Sequence, residues 1–168
     1  MSRPLPCTLV LALVFAACGG GGGGGTPVGP TARLASAEVE FGATATSAEL
    51  AIALADLPVP APTLMQVTIE LPAALAVAPS DPLRAVQAVP TLQGARQGNR
   101  FVVVCGDDQN QAGTPLQNGE LFRLRLATVS PRQVGTHTIV LRELVLAQND
   151  GTEAPVDGTP VSVTAVVR

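Results

Sequence analysis

Apolar and polar side chains alternate along most of the chain after residue 33. In the clearest stretches, apolar residues take every second position and polar residues lie between them: Val67, Ile69 and Leu71; Phe122, Leu124 and Leu126; Val161, Val163, Ala165 and Val167. A period of two places successive side chains on opposite faces of an extended strand. These stretches are therefore predicted to be strands that cover one side of a hydrophobic core.

Other stretches extend this pattern. Leu50, Ile52 and Leu54 alternate with alanines, and segments 100–105 and 138–146, which are more continuously apolar, predict central strands. Residues 73–77 are expected to form a single helical turn. Proline-rich or polar breaks separate the strands: residues 58–62, 79–82, 94–99, 107–119 and a predicted hairpin turn at Asn149-Asp150-Gly151. The spacing predicts an all-β fold, a two-sheet antiparallel β-sandwich of about eight or nine strands.

The first 17 residues have the features of an export signal. Arg3 precedes the apolar run 9–17, which is too short to span a bilayer as a helix but suits a secretory signal. The run ends in Phe15-Ala16-Ala17-Cys18-Gly19, which resembles a lipobox, although Phe15 stands where Leu is usual. We expect residues 1–17 to be a lipoprotein signal peptide and Cys18 to be lipidated. The alternative is an ordinary secretory signal cut near Ala17.

A glycine-rich segment follows the cysteine. Gly19–Gly25 are seven consecutive glycines, and prolines follow at 27 and 30. Because such a chain buries little and loses much entropy on ordering, residues 18–32 are predicted to be a lipidated, disordered tether that reaches roughly 20 Å. The domain is then residues 33–168. The expected location is extracytoplasmic and membrane-anchored, at an outer membrane or cell surface, and Gly19 rather than Asp after the cysteine permits that export.

Charge and cysteine content exclude several classes of protein. The net charge is −3, all ten basic residues are arginines, and no basic stripe offers a surface for nucleic acid. Of the three cysteines, Cys7 leaves with the signal and Cys18 becomes the anchor. Cys105 then remains alone, which leaves no partner for an internal disulfide. Its parity with Phe101 and Val103 favours burial, and the alternative is an exposed thiol that forms an intermolecular disulfide.

Three segments resemble the cohesin domain and its carbohydrate-binding-module superfamily, which has a jelly-roll-like sandwich. Residues 67–77 are similar to a strand, a Pro-x-x-Leu corner and a short strand of that fold. Residues 119–126 are similar to a late strand of the fold, and residues 135–151 with 161–167 resemble its closing strand pair. The resemblance spans about residues 33–168 and implies a cohesin-like sandwich.

The resemblance also implies a function in binding. The expected function is a non-enzymatic interaction module for a protein partner, possibly of dockerin type, and one alternative is a polysaccharide-binding module that uses polar loops. The chain has no Trp or Tyr on which sugar rings could stack, and Phe41, Phe101 and Phe122 are predicted to lie in the core. A second alternative is a structural subunit of a cell-envelope complex.

Few side chains are candidates for chemistry. His137 is the only histidine, no nucleophile motif surrounds it, and a zinc site would need more ligands than His137 and Cys105 supply. We therefore expect no catalytic residue, no metal and no cofactor. The possible partner-binding residues are Arg123, Arg125 and Arg142, if Arg142 lies on a neighbouring strand. Alternatively, these arginines are solvated and form salt bridges with Glu120 or Glu143.

Calcium binding by loop carboxylates stays open. The oxygen ligands that calcium prefers occur in the predicted loops: Asp107, Asp108, Asn110, Asp150, Glu153 and Asp157. Their spacing matches no calcium-binding loop, and Asp and Asn are equally typical of turns.

Overall fold

A computed structural model describes residues 31–107 and 113–168. The predicted signal peptide and Cys18, together with the tether up to residue 30, lie outside this range. Strands are the regular secondary structure of the described residues: β1 (Arg33–Ala35), β2 (Val39–Phe41), β3 (Ser47–Ala55), β4 (Leu64–Glu70), β5 (Leu75–Val77), β6 (Leu83–Ala85), β7 (Thr91–Gln97), β8 (Arg100–Gly106), β9 (Gly119–Thr128), β10 (Gly135–Ala147) and β11 (Val161–Val167). A helix with the length and apolarity needed to cross a membrane is not found within the described ranges.

The strands form two sheets. The five-stranded sheet has the order β1-β3-β9-β5, with β6 also paired to β9, and the six-stranded sheet has the order β2-β11-β10-β4-β8-β7. Every pairing is antiparallel except β2 with β11. This confirms the predicted two-sheet β-sandwich. The structure has more strands than the predicted eight or nine because four of them have only three residues, too few to show a period.

The two sheets enclose one hydrophobic core. Its fully buried side chains come from every second position of the long strands, as the alternation predicts: Leu50, Ile52, Val67, Ile69, Phe122, Leu124, Leu126, Ile139 and Leu141. Phe41, Phe101 and Phe122 are also buried, which confirms their predicted place in the core. Segments 100–105 and 138–146 fall in β8 and β10, and each of these strands is paired on both sides. Their prediction as central strands is therefore confirmed.

Consecutive segments of the chain cross between the sheets. β1 belongs to the five-stranded sheet, whereas β2 belongs to the six-stranded sheet. The same crossing separates β9 from β10, which lie in opposite sheets although only six residues connect them. β7 and β8, by contrast, are consecutive strands of one sheet. The sheet to which each strand belongs, and not its place in the sequence, therefore decides which side chains can share a surface.

Two local predictions are wrong. The predicted break at residues 94–99 lies partly within β7, an edge strand, and only Gly98 and Asn99 form the turn to β8. Gly94 is needed there because it faces inward, where a Cβ atom would lie 2.4 Å from Cζ of Phe101. Residues 73–77 do not form a helical turn, because residues 75–77 form β5 and pair with β9.

Two turn features shape β10. At Glu143, which has φ 54°, two residues of β10 face one residue of β4, and this bulge keeps both Arg142 and Val145 on the outer side. The predicted turn at Asn149-Asp150-Gly151 is confirmed. The Gln148 amide donates a hydrogen bond to the Thr152 carbonyl at 2.9 Å, and Gly151 has φ 82°.

Candidate functional site

The outer face of the five-stranded sheet carries small side chains and arginines. Outward-facing alanines of β3, β5 and β9 surround Arg123 and Arg125, and we call this surface the alanine face: Glu49, Ala51, Ala53, Ala76, Arg84, Glu120, Arg123, Arg125 and Ala127. Arg123 and Arg125 do project together from β9, as predicted. The alanines between them offer little apolar area to a partner.

Arg123 is neutralised by its own neighbours. Its Nε donates to Oε1 of Glu120 at 2.5 Å, and its Nη1 donates to Oε2 of Glu49 at 3.1 Å. The hydrogen bond from Arg123 lowers the pKa of the Glu120 carboxyl from its ordinary value of 4.5. Arg125 donates to Oγ of Ser47 at 3.3 Å and forms no ion pair within the described residues. The salt bridge to Glu120 that the sequence offered as the alternative is therefore present.

Arg142 does not join this pair. It lies on β10, whose outer face belongs to the six-stranded sheet, on the opposite side of the sandwich from Arg123 and Arg125. The expectation of a shared arginine patch is wrong in this respect, because the chain changes sheets between β9 and β10. Nη2 of Arg142 lies 2.5 Å from Oε2 of Glu70, an ion-pair contact whose angle falls outside hydrogen-bond geometry.

The outer face of the six-stranded sheet carries valines on β8 and β10. Outward-facing positions of β10, β4, β8 and β7 include five branched aliphatic side chains and one alanine among polar residues, and we call this surface the valine face: Leu64, Ala95, Val102, Val104, Val140 and Val145. Thr68 also faces outward here, yet its neighbours bury it almost completely. Apart from Ala95 on the exposed edge strand, the aliphatic side chains are half-buried. Gln66 of β4 lies between Val145 and Val104, so polar side chains of β4 separate the valines of β10 from those of β8.

Charged pairs border the valine face. The Arg142–Glu70 pair lies beside Val140, and Asn99 donates from Nδ2 to Oε1 of Glu70 at 3.2 Å. Arg100 and Glu143 approach to 3.6 Å. A shallow groove of about 430 Å³ runs past this network and is lined by Glu70, Leu71, Pro72, Ala73, Asn99, Thr138, Val140 and Arg142. Apolar side chains among polar and charged neighbours are typical of the interfaces of non-obligate protein complexes.

His137 has a simple structural environment. Its Nε2 lies 3.0 Å from the carbonyl oxygen of Gln133, near the start of β10. Across residues 31–107 and 113–168, no three His, Cys, Asp or Glu side chains come together as a metal site would require. His137 lines neither of the two grooves described for these residues.

Cys105 is part of the core. Its side chain faces inward from β8 and is fully buried, which confirms the predicted burial. Burial raises the pKa of the thiol to about 11, so it stays protonated and unreactive at neutral pH. An intermolecular disulfide through Cys105 would require the sheet to open.

The loop carboxylates stabilise turns. Asp150 accepts a hydrogen bond from the Thr152 amide at 2.8 Å, and Asp157 accepts one from the Thr159 amide at 2.9 Å. Asp107 accepts from the amide of Thr114, seven residues further along the chain, at 3.0 Å. The hydrogen bonds of Asp150 and Asp157 join residues two apart, as is typical of Asx turns. Asp108 and Asn110 lie outside the described residues, so this part of the calcium hypothesis stays untested.

Sequence analysis missed the valine face, although a signal for it exists. Phe101–Cys105 is continuously apolar, a pattern that predicts a central strand. An uninterrupted apolar run also places apolar side chains on the outer side, here Val102 and Val104. The ion pairs at its border need the pairing of β10 with β4, which no local pattern reveals.

Comparisons with known proteins bear on this fold. Neither the scan of protein-family models nor the search of curated proteins found a match. Among solved structures, the chain is similar to a non-cellulosomal cohesin from the archaeon Archaeoglobus fulgidus, with a TM-score of 0.58 and 16% identity over 83% of this chain and 91% of that chain. The domain has a cohesin-like fold.

Two further solved cohesins were determined as complexes. The sixth cohesin of scaffoldin B from Acetivibrio cellulolyticus, bound to a Cel5 dockerin, has a TM-score of 0.65 and 13% identity over 83% of this chain and 99% of that chain. The cohesin of a Clostridium thermocellum OlpA–dockerin complex has a TM-score of 0.64 and 15% identity over 82% of this chain and 99% of that chain. At these identities, the likeness establishes the cohesin-like sandwich alone.

Proposed function

We propose that this cohesin-like domain is a non-enzymatic module that binds a dockerin-type protein through the valine face. The valine face is the observation that carries the proposal. It presents half-buried aliphatic side chains on β10, β4 and β8, with the Arg142–Glu70 and Arg100–Glu143 pairs beside them. Burying the valines would supply binding energy, and the charged pairs would orient the partner. The dockerin complexes of similar cohesins support this kind of partner.

The alanine face is the weaker candidate within the same fold. Its outward side chains at Ala51, Ala53 and Ala127 have little area to bury, and Arg123 is already paired with two carboxylates. A partner that took Arg123 would first have to displace Glu49 and Glu120. Since exposed ion pairs contribute about 0–1 kcal/mol, such an exchange offers little net affinity.

Exposed aromatic rings would favour polysaccharide as the ligand instead. The three phenylalanines in the described part of the chain are all buried, and the chain has no Trp or Tyr. The exposed large hydrophobic residues of the described part are valines, which provide no flat ring for a sugar. Protein is therefore the partner that this surface supports better. A structural role in an envelope complex is a form of the same protein-binding function.

We also propose that the module is held at a membrane by lipid on Cys18. The apolar run before Cys18 and the seven glycines after it support an anchor followed by a spacer. Metabolic labelling with an alkyne fatty acid should modify the wild-type chain and leave Cys18→Ser unmodified and in the soluble fraction. Cys7→Ser is the matched control and should behave like wild type. Release of the wild-type chain without lipid would contradict the anchor.

The binding proposal is tested with dockerin-type modules from the organism that carries this chain. The protein is the chain from residue 18 onward with Cys18→Ser, and binding is measured by isothermal titration calorimetry. Val104→Asp should weaken binding about tenfold or more, because the partner would have to bury a carboxylate in place of an apolar side chain of the valine face. Ala51→Asp, on the alanine face, is the matched control and should leave binding unchanged. Equal loss in both variants, or binding of soluble polysaccharide but of no dockerin, would overturn the proposal.

A further inference from the structure

The edge strand β7 differs from the other edge strands of the sandwich. In the described part of the chain, β1, β2, β5 and β6 lie at sheet edges and have three residues each, whereas β7 has seven. Residues 93–97 of β7 are exposed one after another. Proteins usually protect a long edge with proline, lysine, a bulge or a covering loop. β7 contains no proline or lysine, and its pairing with β8 runs without a register shift.

The hydrogen bonds of β8 show which groups of β7 are free. At its two ends, the Asn99 carbonyl accepts from the Leu71 amide at 2.9 Å, and the Asp107 amide donates to the Thr63 carbonyl at 2.8 Å. Odd-numbered residues of β8 therefore direct their backbone groups toward β4, and even-numbered residues direct theirs toward β7. The β7 residues that pair with these even-numbered positions are Thr91, Gln93, Ala95 and Gln97.

The remaining positions of β7 direct their backbone groups away from the sheet. These are Leu92, Gly94 and Arg96, and their N–H and C=O groups form a row of three donors and three acceptors along the free edge. Such a row pairs with an added extended strand, as in strand-addition complexes. Gly94 and Arg96 are exposed, so an incoming backbone can reach them.

An apolar cleft opens beside this edge. It has a volume of about 310 Å³ and lies between β5 and the β7–β8 turn; its apolar lining includes Leu71, Leu75, Val77, Phe101 and Val129. Leu83 of β6 lies within 3.0 Å of the position that a Cβ of Gly94 would take, so the β5 and β6 edge lies beneath β7. The inward side chains of a strand added to β7 would therefore extend over this cleft.

Arg96 supplies a positive charge beside the cleft, on β7 itself. Its Nε donates to the Gly98 carbonyl at 3.0 Å, and it takes part in none of the ion pairs of the described residues. It also lines the cleft. A carboxylate on an added strand would therefore form an ion pair with the exposed guanidinium of Arg96 without displacing an acidic residue that the structure already pairs with it. The ion pairs of Arg100 and Arg142, by contrast, are already formed.

We propose that the free edge of β7 binds an extended peptide segment of a partner protein by strand addition. On its inward side, the segment places apolar side chains over the cleft and one acidic side chain against Arg96, and polar residues alternate with these positions. This site uses the strand edge and the inter-sheet cleft, and it does not depend on binding at the valine face. Three N–H and three C=O groups give affinity, and the cleft and Arg96 give selectivity.

The test uses a labelled nine-residue peptide in which valine and threonine alternate from an N-terminal valine and glutamate replaces the central valine, so that the glutamate and the valines share one face. Its binding to the chain from residue 18 onward, with Cys18→Ser, is measured by fluorescence anisotropy. Two matched peptides carry either a central lysine or N-methyl groups at alternate residues. The N-methyl peptide should bind about tenfold or more weakly because its hydrogen bonds are lost, and the lysine peptide about fivefold more weakly. Equal binding of the N-methyl peptide would overturn strand addition.

Two variants of β7 locate the site on the protein. Arg96→Pro replaces an outward N–H and should weaken binding about tenfold or more, while the pairing with β8 is kept. Arg96→Gln should retain binding but lose the preference for glutamate over lysine. Since Arg96→Pro could unfold, amide exchange in the wild type provides an independent measure. The peptide should slow exchange at Leu92, Gly94 and Arg96 but not at Gln93 and Ala95.

Two further outcomes would overturn the proposal that β7 binds a peptide of a partner protein. Peptide protection at Val102 or Val104 amides without protection at Gly94 would place the peptide elsewhere. Self-association in sedimentation equilibrium that Arg96→Pro abolishes would show that a second copy of the chain takes the edge. Failure of dockerin binding would leave the edge site standing, because Val104→Asp should not change the affinity for the peptide.

Discussion

The valine face and the alanine face are built by the same fold on opposite sides of one core, yet their compositions differ. The valine face carries Val102, Val104 and Val140 with ion pairs at its border, whereas the alanine face carries small side chains and a self-neutralised Arg123. Outward valines do not contact the core between the sheets. The difference supports our proposal that the valine face, which has more apolar area to bury, is the side that contacts a partner.

The largest expected effect on stability comes from comparing an inward with an outward residue of β8. Val103 faces the core and Val104, the next residue, belongs to the valine face. Val103→Asp should destabilise the domain by about 4 kcal/mol or more, because a charge would enter the core. Val104→Asp should change stability by about 0.5 kcal/mol or less. Urea denaturation followed by circular dichroism measures both, and similar losses would contradict the assigned sides.

The next prediction applies the same comparison to β7. Gly94 faces inward against the Phe101 ring, whereas Ala95 faces outward. Gly94→Val should cost about 1–3 kcal/mol, since its Cβ would force the ring to move. Ala95→Val should be neutral or slightly stabilising, because a β-branched residue suits an outer strand position. Thermal melting of the two variants checks this, and a stable Gly94→Val would show that the ring has free space.

The ion pairs of the two faces should also contribute different amounts to stability, but this difference should be smaller than those between the variants of β8 and of β7. Arg142 and Glu70 are the less exposed pair, with side chains 34% and 26% exposed. Arg142→Ala should therefore cost about 1–2 kcal/mol, because it leaves a partly buried carboxylate unpaired. Arg123→Ala, on the alanine face, should cost about 0.5 kcal/mol. Chemical denaturation measures the free energy of unfolding of both variants. A larger loss of stability for Arg123→Ala than for Arg142→Ala would show that the ion pairs of Arg123 contribute more than the Arg142–Glu70 pair.

The smallest effect concerns Glu120 and acid. Because the hydrogen bond from Arg123 lowers the pKa of Glu120 below 4.5, this carboxyl stabilises the fold above that pH. The contribution should be lost as the pH falls from 4.5 through the folded-state pKa. Carbon-detected NMR titration should show the lowered pKa in wild type and its return toward 4.5 in Arg123→Gln. An unchanged pKa in Arg123→Gln would assign the shift to another cause.

Much of the fold follows from local sequence. The alternation at Val67–Leu71 and Phe122–Leu126 identifies inward residues correctly, because a period of two survives wherever one face is buried. β7 escaped prediction because both of its faces are exposed or polar, so it shows no alternation. Three-residue strands such as β5 and β6 are too short to show a period at all, and only their pairing with β9 defines them.

The candidate site was less accessible to prediction than the fold. Arg123 and Arg125 share a face because they are two residues apart on one strand, which is local information. Arg142 was misplaced because its sheet depends on the crossing between β9 and β10, which is decided by long-range pairing. The ion pair of Arg142 with Glu70 joins residues far apart in sequence, and alternation alone carries no signal for it.

The central claim, that the valine face contacts a protein, is tested most directly by photo-crosslinking in living cells. A photoreactive amino acid is placed at residue 104 in one strain and at residue 51, on the alanine face, in another. We predict that irradiation yields a discrete protein adduct from position 104, identifiable by mass spectrometry as a dockerin-type protein, and none from position 51. A protein adduct from position 51 with none from position 104 would contradict the account.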